Sequence, residues 1–106
     1  YRRQAKTYMA LRLAEFGAQL GLHARSLSIR NQKTLWGSCS AKGAITMNWR
    51  LMLAPAAIVD YVLAHELCHV RHLNHSARFW DLVGEIIPDY RDRRALLRHL
   101  QPTLEL

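Results

Sequence analysis

The run His65-Glu66-Leu67-Cys68-His69, followed by His75, carries the residue types and spacing of a metal site with its own base. Two histidines four residues apart on a helix share one face, about 6 Å apart along the axis, so both imidazoles reach one ion. Glu66 follows the first histidine directly, which puts its carboxylate beside that ion, where it can take a proton from bound water. The pattern predicts a metal-dependent hydrolase rather than a binding module.

An HExxH run arises by chance in many sequences, so its surroundings matter. Val62-Leu63-Ala64 before it, Val70 after it and the two residues inside it are uncharged. A chance match on a surface helix would carry charges there. The expected third ligand is His75, ten residues after His65, the distance at which a helix can end and the chain turn back. His75 also projects onto the inward side of the following helix, with Phe79 and Leu82. The rivals are His72, Asp81 and Glu85. His72 shares the helix face but stands about 10.5 Å along the axis from His65, which strains a common ion. Asp81 and Glu85 project away from the Phe79–Leu82–Ile86 stripe, toward solvent. Three neutral imidazoles suit Zn²⁺, with Ni²⁺, Co²⁺ and Mn²⁺ left open, and they leave a fourth position for water.

The elements that position these residues are legible in the apolar periodicity. Ala5, Met9, Leu13, Phe16 and Leu20 recur at three and four, which predicts an amphipathic helix with Gly21 as its stop. From Leu27 the period becomes two. Leu27 and Ile29 form a first short strand, and Asn31-Gln32 a turn. A second strand runs over Thr34–Cys39, and Ser40–Gly43 reads as a hairpin connection. The third strand puts Ile45, Met47, Trp49 and Leu51 on one face, with Thr46, Asn48 and Arg50 on the other. The expectation is a three-stranded antiparallel meander. Pro55 opens a mostly buried helix with His65, His69 and His72 on one side and only Asp60, Ala64 and Arg71 outside. A break is expected at Leu73-Asn74, because Asn tolerates left-handed backbone. A third helix runs from about Ser76 to Ile87 and is stopped by Pro88, and a last one over about Arg91–Leu100 ends before Pro102.

A chain of 106 residues, half of them apolar, suits one domain with one core. It opens on Tyr1 rather than Met, so the expectation is a single domain, 1–106, forming the C-terminal part of a longer protein. No apolar stretch is long enough to span a bilayer, and no membrane partner is expected. Cys39 and Cys68 do not form a metal-type pair, and read as reduced thiols of a cytoplasmic protein, with a Cys39–Cys68 disulfide left open as the alternative. The net charge of +7, with a cluster at Arg91, Arg93, Arg94 and Arg98, leaves nucleotides or nucleic acid as alternative partners to a peptide.

Several separated blocks resemble the YgjP-like metallopeptidase-domain family, relatives of the SprT-like zinc proteases. They are Gln32-Lys33-Thr34-Leu35-Trp36-Gly37-Ser38-Cys39-Ser40, Ile45–Leu51, Asp60–His69, Asn74-His75-Ser76 with Phe79-Trp80, and Pro88-Asp89-Tyr90. The resemblance implies a zincin-like α+β fold with a small sheet beside the active-site helix. It implies metal ligation by His65, His69 and His75, and catalysis by Glu66. The spacing is also similar to that of metzincins, but His72 stands where those carry a glycine.

Three functions compete. The first is a zinc metallopeptidase in which a metal-bound water is activated by Glu66. The second is a metal-dependent phosphohydrolase acting on nucleoside phosphates, which the basic charge favours and the lack of a carboxylate cluster disfavours. The third is a nucleic-acid-binding domain with a structural metal, which gives Glu66 no task. In the Trp36–Ser40 block, Gly37 marks either a bulge beside a packed Trp or a close approach of backbone to a substrate or another chain. Asn48 and Arg50 are candidate contacts for the substrate or for the expected upstream region, and Tyr61 and Tyr90 candidate oxyanion donors.

Overall fold

The first apolar stripe becomes helix α1 (Arg2–Leu20) in the computed structural model, which describes residues 2–31 and 35–100. Met9, Leu13 and Phe16 are buried along it. Gly21 takes φ +68°, a left-handed geometry that glycine adopts without steric cost, and the helix stops there. Gln32, Lys33 and Thr34, where the sequence predicts part of a turn and the start of the second strand, lie outside the described residues, as does Pro102.

Three strands follow: β1 (Ser26–Arg30), β2 (Gly37–Cys39) and β3 (Ala44–Asn48). Their order across the sheet is β1-β3-β2. The hairpin is as expected: Gly37 faces Met47 and Cys39 faces Ile45 in antiparallel register. The meander is not. β1 runs parallel to β3, with Leu27 opposite Ile45, so the sheet is mixed rather than all antiparallel. Alternation tells which face a side chain takes, but neither the neighbour nor the direction of a strand. Here β2 takes the far edge of β3, which leaves the near edge to β1 running the same way.

The alternation expected through Leu51 also ends early. The Asn48 side chain accepts a hydrogen bond from the Arg50 amide at 3.0 Å and caps a 3₁₀ turn over Trp49–Leu53. Its Nδ2 donates to the Leu35 carbonyl at 2.8 Å. Asn48 is thus a buried tie between the turn and the approach to β2, not the open-face substrate contact expected of it.

Helix α2 (Ala56–Cys68) begins after Pro55, and every residue from Ile58 to Cys68 is buried. The outer strip expected at Asp60 and Ala64 therefore lies inside. The reason is α1, which crosses that side: Arg12 Nη2 meets Asp60 Oδ2 at 3.0 Å, and Tyr8 donates its hydroxyl to Asp60 Oδ1 at 2.9 Å. A buried carboxylate is tolerated because it is paired and hydrogen-bonded. The sheet, α3 (Ala77–Ile86) and α4 (Tyr90–Leu100) cover the remaining sides of α2. Ser76 caps α3 through the Phe79 amide, and Pro88 stands between the last two helices. Among the described residues, no helix is long and apolar enough to cross a membrane.

Candidate metal centre

His65 sits in the last turn of α2, and the helix closes at Cys68. The following amides tighten the chain. Those of His69, Val70 and Arg71 bond to the carbonyls of Glu66, Leu67 and Cys68, each three residues back. Such bonds satisfy helix-end carbonyls and bring the chain round sharply. His69 is therefore the C-cap, and His72 lies beyond the helix rather than on its histidine face. No non-glycine residue among those described has a positive φ, so Asn74 bends the chain without left-handed geometry. The turn ends at His75, immediately before the Ser76 cap of α3.

This path brings the three imidazoles together. Nε2 of His75 lies 3.1 Å from Nε2 of His69 and 3.2 Å from Nε2 of His65. One nitrogen from each ring falls within a 4.8 Å set. Ligands about 2.0–2.1 Å from a tetrahedral zinc stand about 3.3 Å apart, so the spacing fits such an ion. Proton counting points the same way. His69 Nδ1 lies 2.9 Å from the His72 carbonyl, an acceptor only, so its proton sits on Nδ1. His65 Nδ1 lies 3.1 Å from Glu66 Oε2, and in the tautomer that donates to this carboxylate its Nε2 is likewise an acceptor. His75 Nε2 can donate to only one of the two. A cation would satisfy all three lone pairs at once.

Phe79, fully buried on α3, orients the rings. It stacks on His69 at 4.4 Å between centroids and 26°, and meets His65 and His75 edge-on at 5.0 and 5.1 Å. Trp80 stacks on His75, at 5.8 Å and 25°.

Burial governs the charge states. It drives His65 down to about 3, helped by the charges of His75 and Arg94. It also lowers His69, so these two rings are neutral and ligand-competent near pH 7. The Glu66 carboxyl, 2% exposed, is pushed up to about 7 by the same burial, against the pull of His69 and His75. A cation among the histidines would draw it down again.

Glu66 has this burial because β2 lies against it. A Cβ on Gly37 would stand 3.3 Å from Glu66 Cγ and 3.2 Å from the Thr46 carbonyl oxygen, so what the Gly37 backbone approaches here is Glu66 of the same chain rather than the substrate or second chain expected. The rivals for the third ligand do not enter the cluster. Asp81 and Glu85 are exposed, and His72 offers only its carbonyl. Cys39 and Cys68 are free thiols, raised by burial to about 11 and about 12, and neither joins the cluster. Tyr61 is fully buried, with its ring 6.1 Å from that of His65. Phe79 reads from sequence only as an inward apolar residue. Its role as the plate under three imidazoles depends on the turn that brings His75 back, and nothing in the periodicity encodes that turn.

The sequence matches the family model described as YgjP-like, metallopeptidase domain, over residues 1–100. The chain belongs to this family. Membership makes it a metal-dependent hydrolase of the metallopeptidase class. Its zincin-like α+β fold is similar to the metallopeptidase zymogen abylysin of Pyrococcus abyssi. The TM-score is 0.84 at 22% identity, over 92% of this chain and 99% of that one. It is also similar to the metallopeptidase zymogen jannalysin of Methanocaldococcus jannaschii. There the TM-score is 0.64 at 20% identity, over 73% of this chain and 79% of that one. No curated protein matches the chain in sequence.

Proposed function

We propose that this domain is a zinc-dependent metallopeptidase in which His65, His69 and His75 hold the ion and Glu66 carries the proton. The observation that supports this most is the convergence of three imidazole nitrogens beside one buried carboxyl. Zinc, when bound, supplies an open position that acidifies water and polarises the carbonyl to be attacked.

The chain's own groups supply the rest. Glu66 is packed between the sheet and the ring of His65, so its carboxyl has little freedom to turn away. From there it accepts the proton of the attacking water and returns it to the leaving amine. His72 holds the His69 ring in one tautomer through its carbonyl, so that Nε2 keeps its lone pair. β2 is an edge strand of the sheet and packs against α2, which gives an extended peptide a backbone rail beside the centre.

A second reading, hydrolysis of a nucleoside phosphate, is favoured by the guanidinium of Arg94, which lies over the Trp80 ring, itself 5.8 Å from the ring of His65. Both readings are tested by comparing zinc-loaded protein with Glu66→Gln on unfolded protein, peptides and nucleoside triphosphates. Peptide cleavage abolished in Glu66→Gln, with zinc content retained, is the expected result. Glu66-dependent release of phosphate or pyrophosphate without proteolysis would overturn the first reading in favour of the second.

A further inference from the structure

The basic cluster on α4 divides in two. Arg93 is engaged in the fold: it pairs with Asp89 at 3.1 Å and donates to the Ala57 carbonyl at 3.0 Å. Arg91 and Arg94 have no ion pair or hydrogen bond among the described residues, yet both are held in place. Arg94 Cζ sits 4.9 Å over the Trp80 ring and Arg91 Cζ 5.5 Å over the Tyr90 ring. The two rings stack on each other at 5.1 Å and 18°. The result is a cleft of about 370 Å³ with aromatic walls and two guanidinium groups, lined also by Ala77 and Asp81.

Its place matters more than its shape. Trp80 is shared with the metal centre, stacking on His75 and standing 5.8 Å from the ring of His65. From His65 to Trp80 is 5.8 Å and from Trp80 to Arg94 is 4.9 Å, which together span about three residues of extended chain.

We propose that Trp80, Tyr90, Arg91 and Arg94 form a carboxylate-binding subsite, which selects peptides with an acidic side chain or free C-terminal carboxylate within about three residues of the bond cut. This rests on the metallopeptidase reading and specifies its substrate class. A cationic ligand is disfavoured, because the ring faces that would attract it are already occupied by guanidinium groups. A carboxylate meets two such groups, and stacking has already restricted Arg94, so less freedom is lost on binding. Asp81 at the rim opposes an anion, but it is one exposed charge against two.

The test uses zinc-loaded protein and matched hexapeptides that differ only as Glu against Gln, scanned along the chain, or as free acid against amide. Scanning the Glu locates the site, and the acid–amide pair separates a side-chain from a C-terminal carboxylate. kcat/KM is read by cleavage, and affinity by calorimetry on the Glu66→Gln protein, with and without Arg94→Gln. The expected result is a preference of about tenfold for one carboxylate position, falling to about onefold in Arg94→Gln and partly kept in Arg94→Lys. Thermal melts check that the variants remain folded. Equal kcat/KM and equal affinity for Glu and Gln, and for acid and amide, would overturn the proposal. So would a preference that survives both Arg94→Gln and Arg91→Gln. If nothing is cleaved but the Arg94-dependent preference appears in calorimetry, the subsite stands and the peptidase reading falls. If only inorganic phosphate or a nucleoside triphosphate binds in an Arg94-dependent way, the carboxylate subsite is overturned.

Discussion

Gly37 and Glu66 approach so closely that a single added methyl group would fill the space between them. A Cβ on Gly37 would lie 3.3 Å from Glu66 Cγ, 3.3 Å from Met47 Sδ and 3.2 Å from the Thr46 carbonyl oxygen. The edge strand thus forms one wall of the slot that holds the carboxyl. It removes water from Glu66, and that loss of water is the first cause of the raised carboxyl.

Gly37→Ala is therefore expected to affect the carboxyl as well as the sheet. The Met47 thioether can yield, but the Thr46 carbonyl belongs to the neighbouring strand and cannot move alone. Overpacking of this kind costs about 1–3 kcal/mol, read as a lower midpoint in urea. If the Glu66 carboxyl is displaced, kcat should fall at least about tenfold, since acid–base assistance depends on close positioning. Wild-type stability together with wild-type kcat would show that the slot has room to spare.

Phe79→Leu is expected to weaken metal binding while leaving the three histidines in place. The ring that stacks on His69 at 4.4 Å and meets His65 edge-on is replaced by a smaller aliphatic group. Groups that orient metal ligands without touching the ion typically contribute about 10–100-fold to affinity. A zinc competition assay against a chromophoric chelator should show a loss near the lower end of that range. An unchanged affinity in a folded variant would mean that the backbone turn alone fixes the imidazoles.

How far the site was legible follows from which contacts are local. His65 and His69 are one helical turn apart, so their shared face follows from periodicity. His75 enters through a turn, and its distance along the chain, its projection onto the inward side of the following helix and the family pattern all pointed to it. The extent of α2 was overread because the apolar run continues through Val70, whereas the backbone bonds after Cys68 close the helix earlier. The parallel pairing of β1 with β3 and the burial of Asp60 depend on partners far away in sequence. No local pattern carries either. The aromatic and guanidinium stack on α3 and α4 was visible only as a count of arginines until Trp80 and Tyr90 were placed together.

The Asp60 cluster yields a prediction about the tie between α1 and α2. Arg12→Gln leaves a carboxylate that is 9% exposed with only the Tyr8 hydroxyl described as its remaining partner. An unfolding cost of about 1–3 kcal/mol is expected, because the desolvated charge loses its counter-ion. Adding Asp60→Asn should recover part of that loss, since the stranded charge is then gone. Strictly additive losses in denaturant melts would argue against the coupling.

Glu66 should also leave a signature in the stability of the metal-free protein. Its carboxyl is raised from 4.5 to about 7 in the folded state. A raised folded-state value means that the folded protein holds the proton more tightly than the unfolded chain. The associated stability is complete below pH 4.5 and is lost as pH rises through about 7. His65, lowered to about 3, acts in the opposite sense: its contribution is present above pH 6.5 and falls away in acid. That opposing slope is shared by wild type and Glu66→Gln, so comparing the two isolates the carboxyl. Without metal, Glu66→Gln is expected to match wild type near pH 4.5 and to exceed it by roughly 1–3 kcal/mol at pH 8. Zinc should shrink the gap at pH 8, because a bound cation favours the ionised carboxylate. Denaturant melts at the two pH values, with chelator and then with zinc, measure both effects, and a gap independent of pH would show that Glu66 is ionised throughout.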